Sequence, residues 1–230
     1  MKEINIKSFK STEKIVGIAV FSALAYVVAL VCNIIPPVAG FLSLDVKDAI
    51  IAIAAFSYGP VSAVIISLIA ALIEFLTFST TEWYGLIMNF VSSAAFSLTA
   101  SLIYHKIRSI NGALIGIYSA VVVTTGTMLL MNVLVTPWYL IYIGVPAVAA
   151  HGQVAELLPK VLLPFNFAKT LLNGAMLMMI YKPVTVAMSR IGITSKKKGA
   201  TKWGKTTVVI MSVGAVSLAL AMAILLILWL

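Results

Sequence analysis

The chain has 230 residues, of which 62% are hydrophobic and 10% charged, with a net charge of +9 and a mean hydropathy of +1.11. Soluble domains carry about 25% charged residues, so the composition excludes an ordinary soluble fold and specifies an integral membrane protein, which the apolar segments below make all-α. It leaves no room for a self-contained ATPase, no GxxxxGK[ST] run is present to cradle phosphates, and the basic residues sit beside predicted helix ends rather than in a nucleic-acid-binding patch.

Apolar segments fall at 14–35, 47–58, 60–79, 84–105, 111–136, 157–181 and 206–230. A helix of about 20 residues crosses the roughly 30 Å hydrocarbon layer. All but 47–58 reach that length. The first run follows a basic leader, as in a signal peptide, but Ile15 to Ile35 is longer than an h-region of about 7–15 residues and reads as a retained span. Segment 47–58 is too short to span unaided, and Gly59-Pro60 separates it from the next. A short or tilted helix beside a tight cytoplasmic turn is expected there.

Two connections, 36–46 (PPVAGFLSLDV) and 137–156 (PWYLIYIGVPAVAAHGQVAE), mix Pro, Gly and aromatics with apolar residues. Solvated loops would be more polar, so both are expected to be lids over an outward-facing pocket. For Trp138, Tyr139 and Tyr142 themselves, an interfacial aromatic belt is the preferred expectation. Segment 189–205 is a basic cytoplasmic linker whose Lys run suits topology and anionic-lipid contact. With the N-terminus inside, all of the 16 basic residues except Lys47, Lys160 and Lys169 fall on the cytoplasmic side. Cys32 is the lone cysteine, and His105 and His151 are the only histidines, so an internal disulfide, a Cys-ligated zinc and a multi-His site are not expected.

The most informative pattern lies in LPFNFAKTLLNGAM. Asn166, Lys169 and Asn173 are spaced i, i+3, i+7 and share one helical face. An ionisable group at mid-membrane costs a few kcal/mol, roughly 2.5–3.5 on insertion scales, unless it meets a partner or a cavity. The stripe therefore suggests a site for a polar ligand, against the plainer alternative of mutual satisfaction between helices. Asn173, deeper in the helix, is expected to be a helix–helix contact. Glu74 is read as an acceptor for ligand hydroxyls or a partner of Lys169, and equally as half of a buried Glu–Lys pair. Asn89 reaches the pocket or bridges helices. Asp45 and Asp48 tie the first lid to Lys47 or to the start of the second helix, where acidic groups favour the dipole. Tyr84 and Trp83 stack on a ligand or anchor the interface. Ala19 and Ala23 are four apart in the first span, with Ala25 and Ala29 repeating the spacing, and such small-residue pairs permit close helix approach. Gly112 and Gly116 form a further pair suited to internal packing.

The runs FLSLDVKDAIIAIAAFSYGPVSAVIISLIAALIEFL, YGLIMNFVSSAAF and LLPFNFAKTLLNGAM, between about Lys14 and Lys182, resemble the riboflavin-specific S components of energy-coupling factor (ECF) transporters. The resemblance implies a six-helix bundle over 1–188, followed by the linker 189–205 and an additional C-terminal transmembrane helix at 206–230 that departs from the family pattern. It implies a multi-pass bacterial cell-membrane protein that is no enzyme and has no cofactor, with riboflavin as the transported ligand. ATP would be bound only by partners, a transmembrane coupling subunit and two cytosolic ATPases. By the same resemblance Asn132, Asn166 and Lys169 contact the ligand, and Ala19-x-x-x-Ala23 docks the coupling subunit. FMN or another vitamin is the alternative ligand. A stand-alone proton-coupled transporter using Glu74 and Lys169 is the alternative mechanism, and a membrane enzyme is disfavoured because HExxH and GxSxG runs are missing.

Overall fold

The computed structural model describes residues 2–190 and 205–229. Its helices are α1 (Lys2–Cys32), α2 (Lys47–Tyr58), α3 (Pro60–Thr77), α4 (Glu82–Ile107), α5 (Ile110–Tyr142), α6 (Ala147–Leu157), α7 (Leu163–Arg190) and α8 (Lys205–Trp229), with a π-helical turn, Leu158–Leu162, joining α6 to α7. Among the described residues six stretches are long and apolar enough to cross a membrane: in α1, α3, α4, α5, the continuous α6–α7 unit and α8. Residues 191–204 of the expected basic linker lie outside the described residues.

The short α2 sits at the centre. It is buried almost all round, from Lys47 through Phe56, as befits a helix apolar on every face. Gly59, at φ 98, ends it in a conformation closed to most L-residues, and Pro60 opens α3 where its missing N–H costs nothing. Packing of α2 on α4 follows a polar ladder with a four-residue period. Ser93 donates to the Asp48 carboxylate, Ser97 to the Asp48 carbonyl at 3.4 Å and Ser101 to the Ala55 carbonyl at 3.0 Å, while the His105 ring lies 3.1 Å from the same Ala55 oxygen. Serines are small enough to let two backbones approach while supplying donors. From α7, Asn173 accepts the otherwise unpaired Ala49 N–H at 3.1 Å and donates to the Asp45 carbonyl at 2.9 Å. A side chain 124 positions away in sequence thus caps the first turn of α2. This is the helix–helix role expected for Asn173.

The second expected lid, 137–156, is not a loop. The helix α5 runs on through Pro137 to Tyr142, and α6 occupies Ala147–Leu157. At 33 residues, α5 is about 50 Å long, so its last turns extend beyond a hydrocarbon layer and the helix need not stop at the membrane face. Pro159 accounts for the π turn: a proline lacks an N–H and crowds the preceding turn, and the wider geometry lets Leu163 N–H reach the Leu158 carbonyl. The first lid, in contrast, is irregular, with one bridge between Val38 and Leu42. Gly116 does lie at an internal packing face, since a Cβ there would come within 2.7 Å of the Ala100 carbonyl of α4. Helix α8 packs along α7, where a Cβ on Gly214 would come within 3.2 Å of the Ala175 carbonyl, and Tyr118 and Ser217 tie α8 to α5 at 3.0 Å.

Candidate functional site

A cleft opens at one end of the bundle, between the start of α4, the C-terminal half of α5, the start of α7 and the lid before α2. It encloses about 660 Å³ of atom-free space including its open mouth. Phe41, Tyr84, Tyr139 and Phe165 supply aromatic wall, and Asn89, Asn132, Asn166 and Lys169 supply polar groups. Five residues marked in the sequence, Tyr84, Asn89, Asn132, Asn166 and Lys169, therefore line one cavity. Tyr139 joins them: its ring lies 5.8 Å from Phe41 and 5.9 Å from Tyr84, so it belongs to the cleft wall rather than to a belt. Trp138 and Tyr142 remain exposed, and Trp83 is exposed against Phe75, with ring centroids 4.5 Å apart.

Helix α7 positions its polar face by helical period alone. Asn166 donates to the Leu162 carbonyl one turn back at 2.7 Å. Among the described residues its side-chain Oδ1 accepts no hydrogen bond, which leaves acceptor capacity in the cleft. Asn132, 1% exposed, donates to the Met128 carbonyl at 2.7 Å and accepts from Thr136 at 2.9 Å. Both amides are held by groups of their own helix and need no other element to orient them.

Lys169 is held differently. Its Nζ lies 2.7 Å from Asp45 Oδ2 and donates to the Ser43 carbonyl at 3.1 Å, so the lysine fastens the lid to α7. Lys47 forms a second pair with Glu74 at 2.6 Å and stands 3.8 Å from Asp45. Glu74 also accepts from Asn89 at 3.2 Å. The expected alternative of a Glu74–Lys169 pair is thus not the one formed: Glu74 pairs with Lys47, and Lys169 with Asp45. The reason is geometric, because Asp45 comes over α7 with the lid while Lys47 opens α2 facing α3. Burial pushes the Asp45 carboxyl up, but Lys169 and Lys47 outweigh it and draw its pKa down to about 2.

Asp45 and Glu74 do not line the main cleft. They lie in a smaller polar recess that shares Ser43, Thr81 and Asn89 with it. In that recess Glu74 Oε1 has no hydrogen-bond partner among the described residues, an exception among buried polar atoms. Phe41, Phe165, Thr136 and the Ser43 carbonyl escaped the sequence reading. The first two look like any apolar residue, and a carbonyl carries no sequence signal. Ala19 and Ala23 line neither the cleft nor the recess and are exposed on α1, whereas Ala25 and Ala29 are buried. Among the described residues no group of three His, Cys, Asp or Glu side chains could hold a metal ion.

Residues 13–185 match the family model described as "ECF transporter, substrate-specific component". The chain is 28% identical over 185 residues to the riboflavin transporter RibU of Staphylococcus aureus (strain TCH60), covering 80% of this chain and 96% of that protein. It is 23% identical over 172 residues to the riboflavin transporter FmnP of Bacillus subtilis (strain 168), covering 74% and 90%. A solved S component of a bacterial ECF transporter superposes with a TM-score of 0.64 at 26% identity, over 78% of this chain and 99% of that one. Helix α8 lies beyond the residues matched by the family model. The chain therefore belongs to the substrate-specific (S) components of ECF transporters: it is a multi-pass membrane transport subunit and not an enzyme.

Proposed function

We propose that the cleft captures riboflavin from the outer side of a bacterial membrane, and that the subunit delivers it inward by docking with a coupling subunit driven by two ATPases. The observation that carries this reading is the set of Asn132, Asn166 and Lys169 in an aromatic-walled cleft. A flavin ring needs apolar walls for its dimethylbenzene part and paired donors and acceptors for its pyrimidine edge, which carboxamides supply. The adjoining recess suits the ribityl chain, with Glu74 Oε1 as a hydroxyl acceptor. Two relatives named as riboflavin transporters favour the same ligand.

Riboflavin is favoured over FMN on charge. Lys169 is the one cation among the cleft-lining residues, and it is already paired with Asp45, so a phosphate dianion entering the cleft would lack compensation. The deciding experiment is the absorbance spectrum of the freshly purified protein, with mass identification of any extracted chromophore and titration with riboflavin and FMN. Released riboflavin and preferential riboflavin binding are expected. A colourless protein that leaves added riboflavin fluorescence unchanged would overturn the assignment. Asn132→Ala and Asn166→Ala should each weaken riboflavin binding by about 1–3 kcal/mol, the scale of an unpaired buried polar group. Unchanged affinity in both folded variants would remove these residues from the site.

Orientation and docking follow the same reading. The bias of Lys and Arg places the N-terminus in the cytoplasm and the cleft outside. Residues 1–188 act as the substrate-binding unit, 189–205 as a basic linker and 206–230 as an added transmembrane helix. Exposed Ala19 and Ala23 offer a smooth strip on α1 for the coupling subunit. The double variant Ala19→Leu/Ala23→Leu should lose co-purification with the coupling subunit and ATP-dependent uptake, while binding riboflavin normally in detergent. Full uptake by that variant would rule out this docking face.

A further inference from the structure

A second cavity lies at the end of the bundle away from the cleft. It is separated from it along α5 by the 11 positions from Ile117 to Met128, about 16 Å of helix. The cavity encloses about 700 Å³ including its mouth, and its floor is buried and apolar: Phe56 from α2, Ile117 from α5, and Leu177 and Met178 from α7. Helix α8 contributes Ile210 to the wall, so the cavity takes part of its shape from a helix beyond the family match. At the rim stand Arg108 and Ser109, both exposed.

The charge of three of its walls is one-sided. No acidic residue occurs anywhere from 83 to 155 or from 157 to 230, a range that includes all of α5, α7 and α8. Asp48 of α2, Glu82 of α4 and Glu156 of α6 stand at the cleft end, while Glu13 of α1 acts on Tyr58 at the cavity end without lining the cavity. Lys106, Arg108 and Lys182 are found at the cavity end. Arg108 makes no ion pair among the described residues; its Nε donates to the His105 carbonyl at 3.3 Å. Its backbone is left-handed, at φ 47, where it ends α4 beside the cavity. Ser109 already accepts the Gly112 N–H at 3.0 Å as the cap of α5, which leaves the guanidinium as the group able to bind an anion. An arginine meets phosphate oxygens through a planar, bidentate fork.

We infer that this cavity is a binding site for an anionic phospholipid, with an acyl chain on the apolar floor between α5, α7 and α8 and the phosphate at Arg108. An apolar floor excludes a free phosphate as the whole ligand, because it has nothing to bury there, and it disfavours a nucleotide, whose base edges would find no hydrogen-bonding partner among Phe56, Ile117, Leu177 and Met178. Arg108, the one charged residue of the lining, distinguishes anionic from zwitterionic headgroups.

The test uses the full-length protein, stripped of co-purified lipid in a non-ionic detergent. Native mass spectrometry then follows retention of phosphatidylglycerol and phosphatidylcholine with identical acyl chains. Phosphatidylglycerol should be retained about tenfold more strongly, the scale of one charge-assisted contact. Arg108→Gln, at an exposed position, should abolish that preference, whereas Ala113→Phe, which fills the cavity from α5, should reduce retention of both lipids. Circular dichroism melts report whether each variant is folded. Equal retention of the two lipids by the natural chain overturns the inference, and so does an unchanged preference in folded Arg108→Gln. Displacement of phosphatidylglycerol by millimolar inorganic phosphate alone also overturns it, since the acyl chain would then contribute nothing.

Discussion

Lys169→Met is expected to remove riboflavin binding and to destabilise the protein at once. The side chain lines the cleft, so any ligand oxygen it holds loses its donor. It is also the main partner of Asp45, and both side chains are more than nine-tenths buried. Deleting one member of a buried pair costs about 3–5 kcal/mol because the other charge is left uncompensated. Here Lys47, 3.8 Å from the same carboxylate, offsets part of that loss, so the lower end of the range is expected. The two effects separate in the double variant Asp45→Asn/Lys169→Met. Removing the orphaned charge should restore most of the thermal stability in detergent, while riboflavin affinity stays low. Recovery of binding together with stability would show that Lys169 acts only by holding the lid.

Lys47→Met is expected to give the opposite balance. Lys47 is 1% exposed, bridges Glu74 and Asp45, and is not part of the cleft wall. Its removal leaves Glu74 with Asn89 as its remaining partner, so a stability loss of about 3–5 kcal/mol is expected. Lys47→Met/Glu74→Gln should recover most of it. Riboflavin affinity per folded molecule should fall less than in Lys169→Met, since Asp45 keeps its 2.7 Å contact with Lys169 and the lid stays fastened. A Lys47→Met protein of normal stability that has lost riboflavin binding would mean that the Lys47–Glu74 pair serves the ligand directly. Because all four charged residues form one network, the double-variant cycles are needed to apportion the energies.

The contrast between these two lysines shows where sequence reasoning stopped. Lys169 stood out because its neighbours at i−3 and i+4 are carboxamides, and a helix places such residues on one face whatever surrounds it. Its partner could not be read in the same way. Asp45, Asp48 and Glu74 were all near in the linear order of helix ends, and the choice of Asp45 depended on the lid passing over α7. The same limit explains Asn173, which shares the face of Asn166 but reaches the start of α2. The ladder Ser93, Ser97, Ser101 and His105 does carry a four-residue period in the sequence, yet serines are common in membrane helices and only the position of α2 gives them a common target. For segment 137–156, prolines and aromatics suggest an irregular connection, whereas helical backbone continues through Pro137 and resumes at Ala147, with Tyr139 of this segment lining the cleft.

The membrane environment, most of the helical segments, the polar face of α7 and the family resemblance are legible in the linear chain, because hydropathy, the 3.6-residue period and motif spacing are local properties. Tertiary structure decided which ends of which helices form the cleft, that Lys169 pairs with Asp45 and Lys47 with Glu74, and that α8 walls a second, oppositely placed cavity. Those outcomes depend on how helices rotate and cross. Such rotations are settled by close packing of side chains hundreds of chain atoms apart, for which a linear sequence supplies candidates but no distances.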